Sequence, residues 1–214
     1  MQVVVLDLGT SNVRSLAAAL AFLGAPHRVT EDPAAIATAS HVVLPGVGAW
    51  DAAVTALDAR GARPALAAHV HVRRRPLLGI CLGMQLLFEA SDEGTRPGLG
   101  LLPGRFRRLT AAPAAGHVVP HARFAPVTGH ADSGLFGGLG ASPCFYFTHS
   151  YALHALDGAP AETTWCRHAE SFVAAFARGP LCGAQFHPEK SQGTGLRFLA
   201  NFLARGAAEV ACAA

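Results

Sequence analysis

The 214-residue chain is long enough to bury a core of its own without disulfides or metal ions. Hydrophobic residues make up 51% of it and charged residues 14%, which excludes an intrinsically disordered chain. The net charge of +3 comes from 16 scattered arginines and a single lysine, Lys190, against 14 acidic residues, so the strongly basic surface of a nucleic-acid-binding protein is also excluded.

Predicted strands and helices alternate through the first half of the chain. Apolar runs predict buried parallel strands at 2–7, 41–44 and 77–80, and alanine- and leucine-rich stretches predict helices at 11–23, 49–60, 64–75 and 82–89. This alternation predicts an α/β fold whose mostly parallel sheet is doubly wound, with helices on both faces.

The second half of the chain has a different texture. Glycine and proline are frequent from 94 to 126, and short β-type runs follow at 144–148, 162–167, 171–177 and 181–186. Gly179-Pro180 marks a turn between the last two runs, so we expect antiparallel strands appended to the parallel sheet. A final helix is predicted at 194–203. We expect residues 1–206 to form one domain and 207–214 to be a frayed C-terminal tail.

Cysteine and histidine usage argues against metals and disulfides. The five cysteines form no Cys-X-X-Cys pair, and the close histidine pairs lack a third ligand at a suitable spacing. No apolar run is long enough to cross a membrane, and the start of the chain lacks the charged region of a secretion signal. These features predict a cytoplasmic protein without a catalytic metal.

The segment Gly79-Ile80-Cys81-Leu82-Gly83 joins a predicted strand directly to a predicted helix. A side chain at so sharp a turn projects from the carboxyl edge of the sheet, and the two glycines remove side chains that would obstruct the bend. The helix N-terminus favours a thiolate over a thiol. Cys81 is therefore a candidate nucleophile, although a buried structural cysteine is the alternative reading of this motif.

A second motif supplies a proton carrier for that nucleophile. His187 and Glu189 flank Pro188 at the end of the last predicted strand. Residues at i and i+2 of an extended segment point to the same side, so Glu189 can hold one ring nitrogen of His187 while the other faces Cys81. The pattern predicts a Cys/His/Glu version of the acyl-transfer triad.

Acyl transfer also requires donors for the oxyanion. The N–H of Leu82 follows the nucleophile, and the loop that contains Val47 and Gly48 ends a neighbouring parallel strand, where its backbone N–H groups can approach a substrate. An ordinary turn and a phosphate cradle are the other interpretations of this loop. No GxxxxGK[ST] or GxGxxG motif supports a cradle.

The residues GICLGMQLLFE (79–89) and His187-Pro188-Glu189 resemble the class I, triad-type glutamine amidotransferases. Among these, the chain is similar to the glutaminase subunits of imidazole glycerol phosphate synthase. The motifs that carry this closer resemblance span nearly the whole chain: DLGTSNVRS (7–15), LPGVGAW (44–50), FEASDEG (88–94), FYFTHSY (145–151), GAQFHPEKSQ (183–192) and GLRFLANFL (195–203).

The resemblance implies an activity and a substrate site. Cys81 would attack the side-chain amide of glutamine, His187 would protonate the departing ammonia and then activate water, and Glu189 would orient His187. Gln85 and Glu93 would hold the glutamine, helped by the backbone around Ser150. The substrate-binding set also includes Gly46, and no cofactor is needed.

The resemblance also implies a partner, a (β/α)8-barrel cyclase subunit that receives the ammonia in histidine biosynthesis. Asn12, Lys190 and His121 would lie at the interface with it. His121 belongs to the segment 120–124, Pro-His-Ala-Arg-Phe, where the family usually has proline-histidine-methionine-glycine-tryptophan-asparagine. This departure concerns the interface and its activation, because none of the triad positions is altered.

Two other interpretations remain open. The chain could be the glutaminase subunit of another complex, such as those of pyridoxal phosphate or anthranilate synthesis, or a non-catalytic scaffold or thiol sensor of the same fold. In a sensor Cys81 would be oxidised rather than acylated. The intact His187 and Glu189 favour catalysis, because a thiol sensor does not need a positioned general acid.

Overall fold

The computed structural model describes residues 1–9, 13–131, 134–156 and 162–206. Thr10 to Asn12 and the predicted tail 207–214 lie outside these ranges. In chain order, the strands are β1 (Val3–Leu6), β2 (His27–Thr30), β3 (His41–Gly46), β4 (Leu77–Cys81), β5 (Phe88–Ser91), β6 (Leu102–Arg108), β7 (His121–Thr128), β8 (Cys144–His149), β9 (Tyr151–Ala152), β10 (Glu162–His168), β11 (Glu170–Arg178) and β12 (Leu181–Ala184).

The larger sheet has the order β2-β1-β3-β4-β12-β11-β10-β7-β8. From β2 to β12 each strand is parallel to its neighbour, and from β12 to β8 each pair is antiparallel. A smaller sheet has the order β5-β6-β9. The predicted α/β fold with appended antiparallel strands is confirmed.

Helices cover both faces of the parallel strands. They are α1 (Val13–Phe22), α2 (Trp50–Ala59), α3 (Ala62–Ala67), α4 (Leu82–Leu86) and α5 (Gln192–Ala204). Successive side chains of β1 enter opposite cores: Val3 and Val5 pack with residues of α1 and α5, whereas Val4 and Leu6 pack with residues of α2 and α3. Strand residues buried on both faces explain why the parallel strands are nearly continuous apolar runs.

Several predicted boundaries were wrong. The helix predicted at 82–89 ends at Leu86, and Phe88 begins β5 because its ring is buried edge-on against Phe106 and Phe176. The helix predicted at 64–75 is α3 followed by a π-helical turn, Ala68–Val72. No prediction was made for β2, β6, β7 or β9.

The carboxyl ends of three adjacent parallel strands meet at one edge of the sheet. In the strand register Gly46 of β3 lies beside Cys81 of β4, and Ala184 of β12 lies beside Ile80. The residues that follow β3, β4 and β12 therefore converge, although they are far apart in the sequence. Within the described ranges, no helix is both long and apolar enough to span a membrane.

Candidate active site

Cys81 occupies a strained turn between β4 and α4. Its φ of 53° and ψ of −114° are rare for a residue with a β-carbon, and the surrounding packing must hold them. A β-carbon at Gly79 would lie 2.6 Å from the Gly83 carbonyl oxygen, so the glycines are needed where the sequence predicted them. The Cys81 side chain lies at the sheet edge and is 6% exposed.

The structure places His187 and Glu189 together beside Cys81. His187 Nδ1 lies 2.8 Å from Glu189 Oε1, and both side chains are buried. The backbone of His187 is held as well, because its N–H donates to the Tyr146 carbonyl at 2.8 Å and the Ser191 hydroxyl donates to the His187 carbonyl at 2.6 Å. These contacts fix the imidazole in one place.

The charge state of His187 depends on its two neighbours. Nε2 is buried and has no hydrogen-bond partner of ordinary geometry among the described residues. Burial lowers the pKa of His187, but the interactions with the Cys81 thiol and the Glu189 carboxylate outweigh it and raise the pKa to about 9. At neutral pH this histidine is therefore protonated and can donate a proton.

A cavity of about 270 Å³ opens beside Cys81. Its volume lies just below the range of about 300–1,000 Å³ found for drug-sized ligands, so it suits a small metabolite such as one amino acid. The lining residues are Val47, Gly48, Cys81, Leu82, Gln85, Glu93, Pro120, Thr148, His149, Ser150 and Tyr151.

Most of the predicted oxyanion and substrate-binding residues line this cavity, but Gly46 does not. It borders a smaller cavity beside His187 and Lys190. A β-carbon at Gly46 would lie 2.7 Å from the Gly83 backbone nitrogen, so this glycine is needed for close packing of β3 against the Cys81 turn. Its position does not fit the predicted contact with substrate.

Glu93 presents a carboxyl group to the cavity. Burial raises its pKa, the Trp50 backbone N–H opposes this by hydrogen bonding to the carboxylate, and the charge of Asp51 raises it further. The Glu93 side chain is half-buried, so it can still reach a cationic ligand group at the cavity wall.

Gln85 and Gln185 form a buried polar pair that the sequence analysis predicted only in part. The amide nitrogen of Gln85 donates to Gln185 Oε1 at 3.2 Å and to the Tyr151 carbonyl at 3.4 Å. Gln185 in turn directs its amide nitrogen at the Cys81 sulfur, 3.7 Å away. Gln185 was not predicted as a site residue, although its position two residues before His187 is a signal that could have found it.

His121 lies in a cluster of buried rings rather than at the surface. It is 1% exposed, its Nδ1 is 3.3 Å from His149 Nε2, and its ring stacks on Phe147 and His168. Its side chain therefore does not fit the predicted interface with a partner. The other residues of the segment 120–124 are exposed, among them Phe124, whose exposed fraction is 47%.

The other predicted interface residues divide between the surface and the undescribed part of the chain. Lys190 is exposed, and its Nζ lies 5.9 Å from the centre of the Tyr146 ring. Asn12 lies outside the described residues. Among the described residues, no group of three or more histidine, cysteine, aspartate or glutamate side chains could hold a metal ion.

Comparison with protein families identifies this arrangement. The family model for "Glutamine amidotransferase class-I" matches residues 4–205. The chain therefore belongs to the class I glutamine amidotransferases, which confirms the predicted enzyme class.

Curated relatives give the closer assignment. The chain is 44% identical to imidazole glycerol phosphate synthase subunit HisH of Mycolicibacterium paratuberculosis, an alignment that covers 95% of this chain and 97% of that one. It is 40% identical to the HisH subunit of Gloeobacter violaceus, over 98% and 93% of the two chains. The resemblance to the glutaminase subunits of imidazole glycerol phosphate synthase is thus confirmed.

Solved structures support the fold. A crystal structure of a glutamine amidotransferase matches with a TM-score of 0.72 and 21% identity, over 94% of this chain and 98% of that one. A glutamine amidotransferase from Thermotoga maritima matches with a TM-score of 0.63 and 15% identity, over 95% and 82% of the two chains. At these identities the similarity shows a shared fold.

Proposed function

We propose that this chain is the glutaminase subunit of an imidazole glycerol phosphate synthase and that Cys81, His187 and Glu189 are its catalytic triad. The observation that carries the assignment of the triad is the convergence of a strained Cys81, a protonated His187 held by Glu189, and a cavity of amino-acid size. The activity is hydrolysis of glutamine to glutamate and ammonia, which is used in histidine biosynthesis.

The first half of the reaction forms a thioester. The Cys81 thiolate attacks the side-chain carbonyl carbon of glutamine, so a carbon–sulfur bond forms as the carbonyl π electrons move to oxygen. The protonated His187 then gives its Nε2 proton to the departing nitrogen, the carbon–nitrogen bond breaks, and ammonia leaves. His187 is neutral at this stage, and Glu189 still holds its Nδ1–H.

The second half releases glutamate. Neutral His187 takes a proton from water, and the resulting hydroxide attacks the thioester carbon. The carbon–sulfur bond breaks and the electron pair returns to Cys81 as a thiolate. The enzyme is then back at the thiolate and imidazolium with which it began.

Both tetrahedral intermediates carry a negative oxygen that needs donors. The backbone N–H of Leu82 and those of Val47 and Gly48 are assigned to it, because all three residues line the cavity beside Cys81. Gly48 has a φ of +96°, and no atom lies within 4 Å of the place a β-carbon would take. This leaves the loop room to turn an N–H towards the oxyanion.

The opposite end of glutamine carries an ammonium and a carboxylate group. The Glu93 carboxylate is the natural partner of the ammonium group, and Gln85 Oε1 is a buried acceptor without a partner among the described residues. The backbone around Ser150 completes the pocket. Recognition at this end places the side-chain amide at Cys81.

The ammonia is passed to a separate cyclase subunit, a (β/α)8 barrel. There it reacts with a phosphoribulosyl-formimino aminoimidazole carboxamide ribonucleotide to give imidazole glycerol phosphate and an aminoimidazole carboxamide ribonucleotide. Asn12 and the exposed Lys190 are assigned to the face that meets this subunit. The relatives' name as a synthase subunit supports the existence of a second subunit.

An electrophilic glutamine analogue tests the assignment. With the cyclase and its nucleotide bound, the analogue is expected to label Cys81, and Cys81→Ala is expected to abolish glutamine turnover while the complex still forms. Cys144→Ala is the matched control, because Cys144 is a free, exposed thiol. Ammonia added directly should still support the cyclase when it is bound to the Cys81→Ala chain. An unmodified Cys81, or turnover that survives Cys81→Ala, would refute the proposal.

A further inference from the structure

Gln185 directly follows β12, the neighbour of the strand that carries Cys81. Ala184 and Ile80 are paired in the register, so Gln185 and Cys81 occupy corresponding positions at the ends of adjacent parallel strands. Gln185 and His187 are separated by one residue, and both side chains reach the Cys81 sulfur. The Gln185 side chain is completely buried, at 0% exposed.

The hydrogen bonds of Gln185 have a direction. Its amide nitrogen donates to the Cys81 sulfur at 3.7 Å, and its amide oxygen accepts from Gln85 Nε2 at 3.2 Å. The sulfur also lies 3.8 Å from the Thr148 carbonyl oxygen, to which a thiol would direct its hydrogen, so towards Gln185 the sulfur is the acceptor; the NH₂ end of Gln185 therefore faces Cys81 and its oxygen faces Gln85. The contacts with the sulfur and with Gln85 together fix the orientation of the Gln185 amide.

The same reasoning continues to the substrate pocket. Because the Gln185 oxygen accepts, the NH₂ end of Gln85 must face Gln185, and the Tyr151 carbonyl accepts its second hydrogen. Gln85 Oε1 is left buried and without a hydrogen-bond partner among the described residues, and Gln85 lines the cavity. A buried acceptor of this kind is costly unless a ligand donor satisfies it.

We propose that Gln185 is a positioning residue that holds the Cys81 thiolate and the Gln85 amide in matched orientations, so that Gln85 offers its oxygen to an N–H donor of the substrate. This inference rests on the proposed function and adds a specificity element to it. A ligand that lacks the donor, such as a glutamine without its α-amino group, leaves Gln85 Oε1 unsatisfied and is rejected.

Packing alone does not account for this residue. The Gln185 backbone N–H donates to the Ala174 carbonyl at 2.8 Å, so the chain is held there by its main chain. The neighbouring positions Ala184 and Phe186 are buried apolar residues, and an apolar side chain at 185 would avoid the cost of burying an amide. The two polar contacts to site residues are what the amide provides.

The test compares Gln185→Leu and Gln185→Glu in the complex with the cyclase. Leucine is similar in size to glutamine and makes neither hydrogen bond. The carboxylate of glutamate has two acceptors and no N–H donor, and it places a negative charge next to the Cys81 sulfur. We expect Gln185→Leu to raise KM for glutamine about five- to tenfold, as for a lost hydrogen bond. At neutral pH, iodoacetamide should alkylate Cys81 more slowly in Gln185→Leu than in the unaltered chain, and at high pH the two rates should be equal. At neutral pH the alkylation should be slower in Gln185→Glu than in Gln185→Leu.

Thr164→Val is the matched control, because it removes another buried polar group two strands from β12. It should change neither KM nor the alkylation profile. If Gln185→Leu behaves like this control, or if Gln185→Glu is alkylated as fast as the unaltered chain, the inference is wrong. Co-purification of each variant with the cyclase shows that the variant is folded and docked.

The design separates this inference from the proposed function. If the unaltered complex fails to hydrolyse glutamine, the proposed function is refuted. The alkylation profile does not require turnover, so it still reports whether Gln185 acts on the sulfur.

Discussion

The backbone of Gly83 passes so close to the Leu44 carbonyl oxygen that a β-carbon at Gly83 would lie 1.8 Å from it. Main-chain atoms cannot retreat from such an overlap as a flexible side chain can. The start of α4 is therefore pressed against the end of β3, and this contact helps to hold Cys81 at its strained positive φ.

Gly83→Ala is expected to distort this turn. Overpacking against backbone should lower the free energy of unfolding by about 3 kcal/mol or more, and glutamine turnover should be lost in the protein that still folds. Urea denaturation and the activity of the complex measure the two effects. Gly193→Ala is the control, because no atom lies within 4 Å of its added β-carbon in helix α5, and it should be neutral or slightly stabilising.

Glu189→Gln should change both the rate and the pH dependence of glutamine hydrolysis. The Glu189 carboxylate helps to raise the pKa of His187 to about 9, so the histidine keeps its proton through neutral pH and loses it as the pH rises through about 9. Without this charge the proton is lost at lower pH. We expect kcat to fall at least about 100-fold and the alkaline limb of the pH–rate profile to move to lower pH.

Glu170→Gln is the control for this experiment. Glu170 also contacts a histidine, with His154 Nε2 3.2 Å from its Oε2, but it does not line the cavity beside Cys81. An alkaline limb that stays in place in Glu189→Gln would contradict the assigned role of Glu189.

The sequence predicted the buried parallel strands well, because an apolar run is a sufficient signal for each of them. The apolar runs of β1, β3 and β4 are buried on both faces, and this burial alone makes them recognisable. The strand β5 was missed because 82–89 has helical composition, and only the distant contacts of Phe88 with Phe106 and Phe176 decide against a helix. Composition does not contain such tertiary contacts.

The site was predictable to a similar degree. Cys81, His187 and Glu189 lie in motifs whose local geometry explains their chemistry, and the structure brings the three side chains together. Gln185 was missed although its position two residues before His187 is a usable signal, and His149 was missed because a buried histidine has no distinctive pattern in a sequence. Their roles depend on partners 104 and 28 residues away, the sulfur of Cys81 and the ring of His121.

The buried pair His121 and His149 should make the protein sensitive to acid. Burial and the charges of neighbouring histidines and Arg123 lower the pKa of His121 to about 3, and burial lowers that of His149 to about 4, against an opposing hydrogen bond to the Tyr151 carbonyl. Below about pH 6.5 the unfolded chain binds protons that the folded protein does not. The free energy of unfolding therefore falls with pH, by up to about 1.4 kcal/mol per pH unit for each such histidine.

His121→Phe removes one of these groups and keeps a ring to stack on Phe147 and His168. We expect Tm to fall less between pH 6.5 and pH 5 in this variant than in the unaltered chain, a range of about 1.5 pH units over which the linkage acts. His71→Gln is the control, because His71 is exposed, and it should leave the pH dependence as it is. An unchanged slope in His121→Phe would show that its titration does not contribute.

Lys190→Arg should leave the fold intact and weaken the activation of glutamine hydrolysis by the ligand of the cyclase. Lys190 is exposed, its Nζ lies over the Tyr146 ring, and the residue borders the small cavity that His187 and Glu189 also line, so it lies beside the triad and is accessible to a partner. An ammonium is a compact charge, whereas a guanidinium is broad and planar and requires forked partners. The chain uses arginine at 16 other positions, so the lysine here suggests that the smaller group is needed.

We expect the ratio of activated to basal turnover to fall roughly fivefold in Lys190→Arg, as for a displaced charge at an interface. The exposed Arg73→Lys exchanges the same two side chains in the opposite sense, outside both cavities that border the triad, and should leave the ratio unchanged. Full activation of Lys190→Arg would mean that either cation serves at this position. The single lysine would then reflect the arginine bias of the chain and not a requirement of the interface.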